Sequence, residues 1–339
     1  MASISKVVTA AGVLRLVQAG AVDLDADART YLPPGSLRTP SNAPVTLRQL
    51  LTHTAGLAPI GRSRARARAR SEPGMSWTYG NYGYGLVERI VEAVTGETFA
   101  RAMATEVLDP LGMHLSGYRH GHPPSAACGL WASARDLSRF VVAVVAESPW
   151  LRPALRRELV RPQPFGEVEH PFMALGLRLG GNGAGAVAFH GGYWRKSSAQ
   201  LMAWPDRRSG VVVLGRGRPV APTARALAAV VAPKDAAPPE MPPALAPAWV
   251  VGRYRAGPPR TAPAAWFSLG RDVRVSVLGS RLVARSRWGV FRNGRTLYPT
   301  GSDRFVYLSG GRPVDVAFRR RGDETLLFVS SPIGVLTRP

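Results

Sequence analysis

The chain holds one cysteine, Cys128, in 339 residues, so neither an intrachain disulfide nor a multi-cysteine metal site can form. Nothing around Cys128 would activate a thiol, and it reads as a small buried residue. Lysine is nearly absent: the 44 basic residues include only Lys6, Lys196 and Lys234, and the rest are arginine. Acidic residues number 22, which leaves a formal charge of +22. No apolar run approaches the ~18 residues a membrane-spanning helix needs. Val7 to Ala21 has the outline of a signal peptide, with Lys6 before it and Ala26-Asp27-Ala28 behind. Arg15 and Gln18 interrupt that run at a spacing that suits an amphipathic helix. As written, the sequence carries no export signal and reads as cytoplasmic; a start further upstream would allow export.

Hydrophobic content of 45% with 19% charged residues describes a globular protein with ample core, and the length points to two domains. Arginine in company with abundant alanine, glycine and proline is the composition that GC-rich codons produce, so the charge alone assigns no partner. A nucleic-acid surface or attraction to an anionic polymer would also be basic. Aromatic residues do not interleave with the basic ones as a base-stacking surface requires, and no specific nucleic-acid partner is expected. The run Arg62-Ser63-Arg64-Ala65-Arg66-Ala67-Arg68-Ala69-Arg70 repels itself and should be solvated. It is either a low-complexity insertion or a basic rim that steers acidic substrates.

Apolar Val7, Ala10, Val13, Leu14 and Val17 predict a helix over residues 3–19 that Gly20 ends. Thr46-Leu47-Arg48-Gln49 is a capping box opening a short helix to His53, stopping near Gly56. A helix follows a loop within Trp77 to Thr95, closed by Gly96, and another spans Asp136 to Val145. Met173 to Leu179, Ala186 to His190, Ser198 to Trp204 and Gly210 to Leu214 read as strands. Pro222 to Val231 is a last helix, and the proline-rich Pro233 to Pro247 is a semi-rigid linker. Beyond it, short alternating runs such as Val273 to Val277 and Leu326 to Val329, with regular turn signals, predict a small antiparallel sheet or barrel. The predicted domains are thus residues 1–231 and 248–339, joined by 232–247.

Ser3-Ile4-Ser5-Lys6 puts a hydroxyl and an amine three residues apart at the start of a helix, on one face. A serine hydroxyl needs a base, and a lysine amine serves once burial or neighbouring charge frees its lone pair. Arginine cannot take that role because it does not deprotonate at usable pH. A chain that prefers arginine almost everywhere therefore has lysine where base chemistry excludes arginine. Tyr79-Gly80-Asn81 offers a phenol that can relay a proton and an amide that can hold a carbonyl. Taken alone, it reads as a tyrosine-rich loop before a helix. His190-Gly191-Gly192 follows a strand, and its glycines let substrate approach the backbone, where N–H groups can stabilise an oxyanion. His53 reads as a structural helix-end residue. His114, His120, His122 and His170 have no metal-ligand spacing with carboxylates, and no metal is expected.

In order along the chain stand Ser3-x-x-Lys6, Leu50-Leu51-Thr52-His53-Thr54-Ala55-Gly56-Leu57, Tyr79-x-Asn81, Pro110-Leu111-Gly112-Met113, Asp136-Leu137-Ser138-Arg139-Phe140 and His190-Gly191-Gly192. This series resembles the β-lactamase-related serine hydrolases: class C β-lactamases, D-alanyl-D-alanine carboxypeptidases, D-aminopeptidases and certain esterases. The resemblance covers roughly residues 1–231, and the C-terminal part resembles the lipocalin-like barrels appended to such hydrolases. It implies an α+β fold of the β-lactamase/transpeptidase type, an antiparallel sheet flanked by helices, followed by a β-barrel-like domain. It implies Ser3 as nucleophile, Lys6 as base and Tyr79 as proton relay. Asn81 and the His190, Gly191, Gly192 and Tyr193 strand would contact substrate, with the N–H groups of Ser3 and Tyr193 as oxyanion hole. No cofactor or metal is implied, and the substrate would be a small ester, amide or D-amino-acid peptide.

The sequence departs from the family's pattern in two places. Family members have a helix and the first sheet strands before the nucleophile, whereas Ser3 has two residues before it. Either the natural start lies upstream, or the chain is short and lacks those strands. In the second case it would be a catalytically silent penicillin-binding-protein-like binder. His190 stands where β-lactamases have lysine, and a neutral imidazole binds a carboxylate less well than an ammonium does. That favours esters or D-amino-acid amides over penicillins, unless Arg195 or Lys196 restores the charge.

Overall fold

The computed structural model describes residues 1–59, 67–119, 125–181, 186–232, 247–256, 269–279, 281–309, 312–330 and 333–338. Arg62 to Arg66, His120, His122 and nearly all of the proline-rich segment lie outside them.

Five helices form where capping and period predicted them; those at Phe99–Met103, Ser125–Cys128 and Pro153–Val160 were not predicted. A 3₁₀ turn, Ala2–Ile4, carries Ser3 and leads into α1 (Ser5–Gln18). Every residue from Ile4 to Leu14 is buried, so α1 is a central helix wrapped on all sides, not the one-faced helix its spacing predicted. Small residues at Ala10, Ala11 and Gly12 allow neighbours to approach that closely. The next helix, α2 (Leu47–Leu51), is two residues shorter than expected at its C-terminal end. Its capping box is complete: Thr46 accepts from Gln49 N, and the Gln49 side chain accepts from Thr46 N. Then come α3 (Tyr82–Thr95), closed by left-handed Gly96, α4 (Phe99–Met103) and α5 (Ser125–Cys128). They are followed by α6 (Ala134–Val145), α7 (Pro153–Val160) and α8 (Ala221–Val231). Cys128, at the end of α5, is half-buried and not buried as expected.

Three two-stranded ladders were not predicted: β1 (Leu37–Arg38) with β2 (Ala67–Arg68), β3 (Gly117–Tyr118) with β4 (Leu130–Trp131), and β5 (Gln163–Phe165) with β6 (Val168–His170). The main sheet of this part is an antiparallel meander ordered β10-β9-β8-β7. Its strands are β7 (Arg178–Gly180), β8 (Val187–Trp194), β9 (Ser197–Trp204) and β10 (Ser209–Arg216). The strand expected from Met173 is confined to Arg178–Gly180, because the chain folds back there, Ala174 N–H donating to the Leu177 carbonyl. Helices α6 and α8 pack on β10, and the Ser3 turn packs on β8 and β9.

The C-terminal part is a closed antiparallel barrel of eight strands: β11 (Gly252–Ala256), β12 (Asp272–Leu278), β13 (Arg281–Ser286), β14 (Arg295–Pro299), β15 (Arg304–Ser309), β16 (Arg312–Arg321), β17 (Glu324–Ser330) and β18 (Ile333–Arg338). Pairing of β18 with β11 closes it. Tyr254, Val273, Val275, Phe305, Phe318 and Leu327 fill its interior.

Candidate active site

Lys6 lies on the first turn of α1 with no exposed surface. An ammonium has three protons, and three oxygens surround this one. Lys6 Nζ donates to Asn81 Oδ1 at 2.8 Å, to the Ala127 carbonyl at 3.1 Å and to Ser3 Oγ at 3.4 Å. Leaving a buried cation unpaired would cost several kcal/mol, so these partners decide whether a lysine can sit here at all.

Each oxygen is placed by its own local structure. Ser3 rides on the 3₁₀ turn, which brings its hydroxyl round toward Lys6. Asn81 stands at the N-terminus of α3, where its side chain makes no capping bond and is free for Lys6. Ala127 belongs to α5, which is clipped onto α1. Thr9 Oγ1 donates to the Ala126 carbonyl at 2.9 Å, and Leu130 N–H donates to Ser5 Oγ at 3.0 Å. The second serine of Ser3-Ile4-Ser5-Lys6 is therefore a structural clamp.

Tyr79 sits over this group, its ring centroid 5.1 Å from Lys6 Nζ. His53 lies beneath it at 4.5 Å between ring centroids, in the left-handed region at φ 65°. Burial, reinforced by the positive charges of Lys6 and Arg178, holds the His53 pKa well below its ordinary value, so the ring is neutral. The Tyr79-Gly80-Asn81 turn admits no side chain at Gly80, where a Cβ would lie 2.5 Å from Pro59 Cα.

On the opposite wall runs β8. It pairs with β7 only through Val187 to Phe189, so beyond that point it has a strand neighbour on the β9 side alone. The Ser3 turn occupies the other side, so close that a Cβ on Gly192 would fall 2.2 Å from the Met1 carbonyl oxygen. His190 is buried, and its Nδ1–H donates to the Gly191 carbonyl at 2.7 Å. Desolvation, then Arg178 and Lys6, push its pKa down to about 3, so it carries no charge near neutral pH. Tyr193 is 63% exposed at the mouth. Arg195 and Lys196 are exposed on the β8–β9 turn.

The structure thus brings Ser3, Lys6, Tyr79 and Asn81 together, with His190, Gly191, Gly192 and Tyr193 along the facing strand. It also adds a residue the sequence reading missed. Arg178 on β7 lies opposite Phe189, its guanidinium 5.8 Å from the Tyr79 ring. Its charge acts on both His53 and His190, and it has no ion-pair partner among the described residues. An arginine among more than forty basic residues gives no sequence signal; its half-buried place beside Tyr79 marks it. No group of three or more potential metal-binding side chains occurs among the described residues.

Residues 1–236 match the sequence model of the Beta-lactamase family, which covers more than half of the chain, and the chain belongs to that family. Its architecture is the β-lactamase/transpeptidase-like fold followed by the closed barrel, and the family supports a hydrolase. Among curated relatives, Penicillin-binding protein 4 of Amycolatopsis lactamdurans is 32% identical over 130 residues, which cover 34% of this chain and 34% of that protein. Esterase EstB of Burkholderia gladioli is 31% identical over 153 residues, 36% of this chain and 39% of that one. The match therefore spans little more than a third of those proteins. A solved structure titled SurE with D-Leu superposes with a TM-score of 0.60 at 25% identity, covering 100% of this chain and 86% of that one.

Proposed function

We propose that the chain is a serine hydrolase that forms an acyl-enzyme on small esters or amides, with substrates bearing a carboxylate preferred. The observation that carries this reading is the buried Lys6 amine, held among Ser3 Oγ, Asn81 Oδ1 and the Ala127 carbonyl. We assign the reaction to residues 1–231, with 232–247 as connection and 248–339 as a second domain.

In this reading Ser3 Oγ attacks the substrate carbonyl carbon, and its proton passes to Lys6 Nζ, which has first given one of its own protons to solvent. The ammonium that forms already has Asn81 and Ala127 as acceptors, so little reorganisation accompanies the transfer. Negative charge gathers on the carbonyl oxygen, facing the N–H groups of Ser3 and Tyr193. The intermediate collapses with cleavage of the C–O or C–N bond, and the leaving group takes a proton through Tyr79, which lies over Lys6. Water then attacks the Ser3 ester by the reverse proton path and releases the acid.

Arg178 supplies the positive charge that neutral His190 lacks. A guanidinium grips a carboxylate with two parallel bonds. With the D-amino-acid complex of the SurE structure and the esterase and penicillin-binding relatives, this favours acylated D-amino acids and short D-peptides. The test is turnover of a p-nitrophenyl ester, a D-aminoacyl p-nitroanilide and D-alanyl-D-alanine peptides, each with wild type and Ser3→Ala. Turnover of one or more that Ser3→Ala abolishes is the expected result. Turnover unchanged by Ser3→Ala would contradict the assignment.

A further inference from the structure

The barrel is seated on the hydrolase part through an apolar seam. Trp77, Phe165, Phe172 and Met173 pack there against Ala317, Leu326 and Phe328. Strand β17 is buried on both faces for this reason: Leu327 and Val329 point into the barrel, while Leu326 and Phe328 face the hydrolase part. A barrel strand facing solvent would have no use for that second apolar set. Two polar contacts rim the seam. Asp315 on β16 accepts from Gly181 N–H at 3.2 Å, and the Arg321 guanidinium lies 5.5 Å from the Phe165 ring.

From the seam a continuous series of rings leads to the active site. Phe328 meets His170 edge-to-face at 4.9 Å between centroids. His170 lies 6.2 Å from Trp77, and Trp77 6.4 Å from Tyr79. His53 touches both Trp77 and Tyr79, at 6.2 and 4.5 Å. His170 cannot drift, because its Nδ1 accepts from Phe172 N–H, and Phe165 packs on it at 5.8 Å. Close-packed rings transmit displacement because no free volume absorbs it.

We propose that the barrel is a working part of the active site, and that Phe328, acting through His170 and Trp77, is the positioning residue that holds Tyr79 over Lys6. The role given to Tyr79 rests on the reading of the preceding subsection; the mechanical coupling does not. A geometric consequence follows for catalysis: Tyr79 misplaced by a fraction of an ångström delivers its proton poorly, while the β8 backbone facing Ser3 is no part of the ring series. Loss therefore falls on kcat and leaves KM nearly constant.

The experiment is ¹⁹F NMR of the full chain with 3-fluorotyrosine placed at position 79 alone. Wild type, Phe328→Leu, Arg321→Met and Val275→Ala are compared. Val275 is buried inside the barrel on β12, so Val275→Ala destabilises the barrel without touching the seam. Arg321→Met tests the seam if Phe328→Leu does not fold. The expected result is a Tyr79 resonance displaced by more than its line width in both seam variants and unmoved in Val275→Ala. In unlabelled protein kcat falls about tenfold in the seam variants with KM within about twofold. A Tyr79 resonance that stays in place in a folded seam variant overturns the proposal, whatever the activity. Displacement in a wild-type background that turns over no substrate would instead sustain the coupling and count against the hydrolase reading.

Discussion

At the scale of single residues, the site turns on one lysine in an arginine-rich chain and one arginine with no ion-pair partner among the described residues. Under the proposed mechanism Lys6→Arg removes the base, since a guanidinium holds its protons. Its expected effect is a loss of kcat of about 10³-fold, from within the usual range for removing a general base. Steady-state hydrolysis beside a melting curve checks this, because the curve shows whether the larger head is accommodated. Arg178→Gln should lower kcat/KM for a carboxylate-bearing substrate by about 10- to 100-fold, or roughly 1.4–2.8 kcal/mol, and leave a neutral ester within about twofold. Equal loss on both substrates would show that Arg178 supports the fold and does not read the carboxylate. The two residues differ in how legible they were. Lys6 stood out because it is rare, whereas Arg178 is lost among the arginines until the fold puts it beside Tyr79.

At the scale of elements, close backbone approach shapes the site. The strand β8 and the Ser3 turn touch through Gly192, so Gly192→Ala should push the turn away from Lys6. Hydrolysis is expected to drop at least about 100-fold with the fold retained, since an ångström of misplacement has that effect. Circular dichroism together with a kinetic assay separates this from unfolding. The capping box of α2 was legible because it is local, Thr46 and Gln49 being near neighbours in sequence, whereas the Ser133 cap went unread and α6 was placed two residues late. The β1–β2 and β3–β4 ladders were not, since two-residue strands paired across long sequence separations leave no periodic trace. Helix α1 misled in the other direction. Its three- and four-residue spacing was real, but the residues between are small enough to be buried too. Leu326-Leu327-Phe328-Val329 was read as one barrel strand among several. Its unbroken apolar run, in place of alternation, was the trace of the seam it makes with the hydrolase part.

At the scale of the molecule, three neutral imidazoles couple stability to acid. His170 and His190 are held near a pKa of about 3 by burial, and His53 well below its ordinary 6.5. Above pH 6.5 folded and unfolded chains alike carry these rings neutral, and the contribution does not vary. As pH falls below 6.5 the unfolded chain takes up protons that the folded chain refuses, so stability is lost progressively down to about pH 3. Each ring adds up to ~1.4 kcal/mol per pH unit across that window. Urea midpoints at pH 7 and pH 5 should therefore differ strongly, and less so in His170→Leu. Identical pH dependence in His170→Leu and wild type would show that His170 is protonated in the fold. Because two of these rings line the site and the third lies in the seam, acid should disarm the site and loosen the barrel together.

The central claim is that Ser3 is an activated nucleophile. It is tested most directly by treating the purified chain with a fluorophosphonate probe and locating the adduct by peptide mass spectrometry, beside Ser3→Ala and Lys6→Arg. The account predicts a stoichiometric adduct on Ser3, absent from Ser3→Ala and slowed by orders of magnitude in Lys6→Arg. A folded wild-type chain that takes no label, or takes it on another residue, would contradict it.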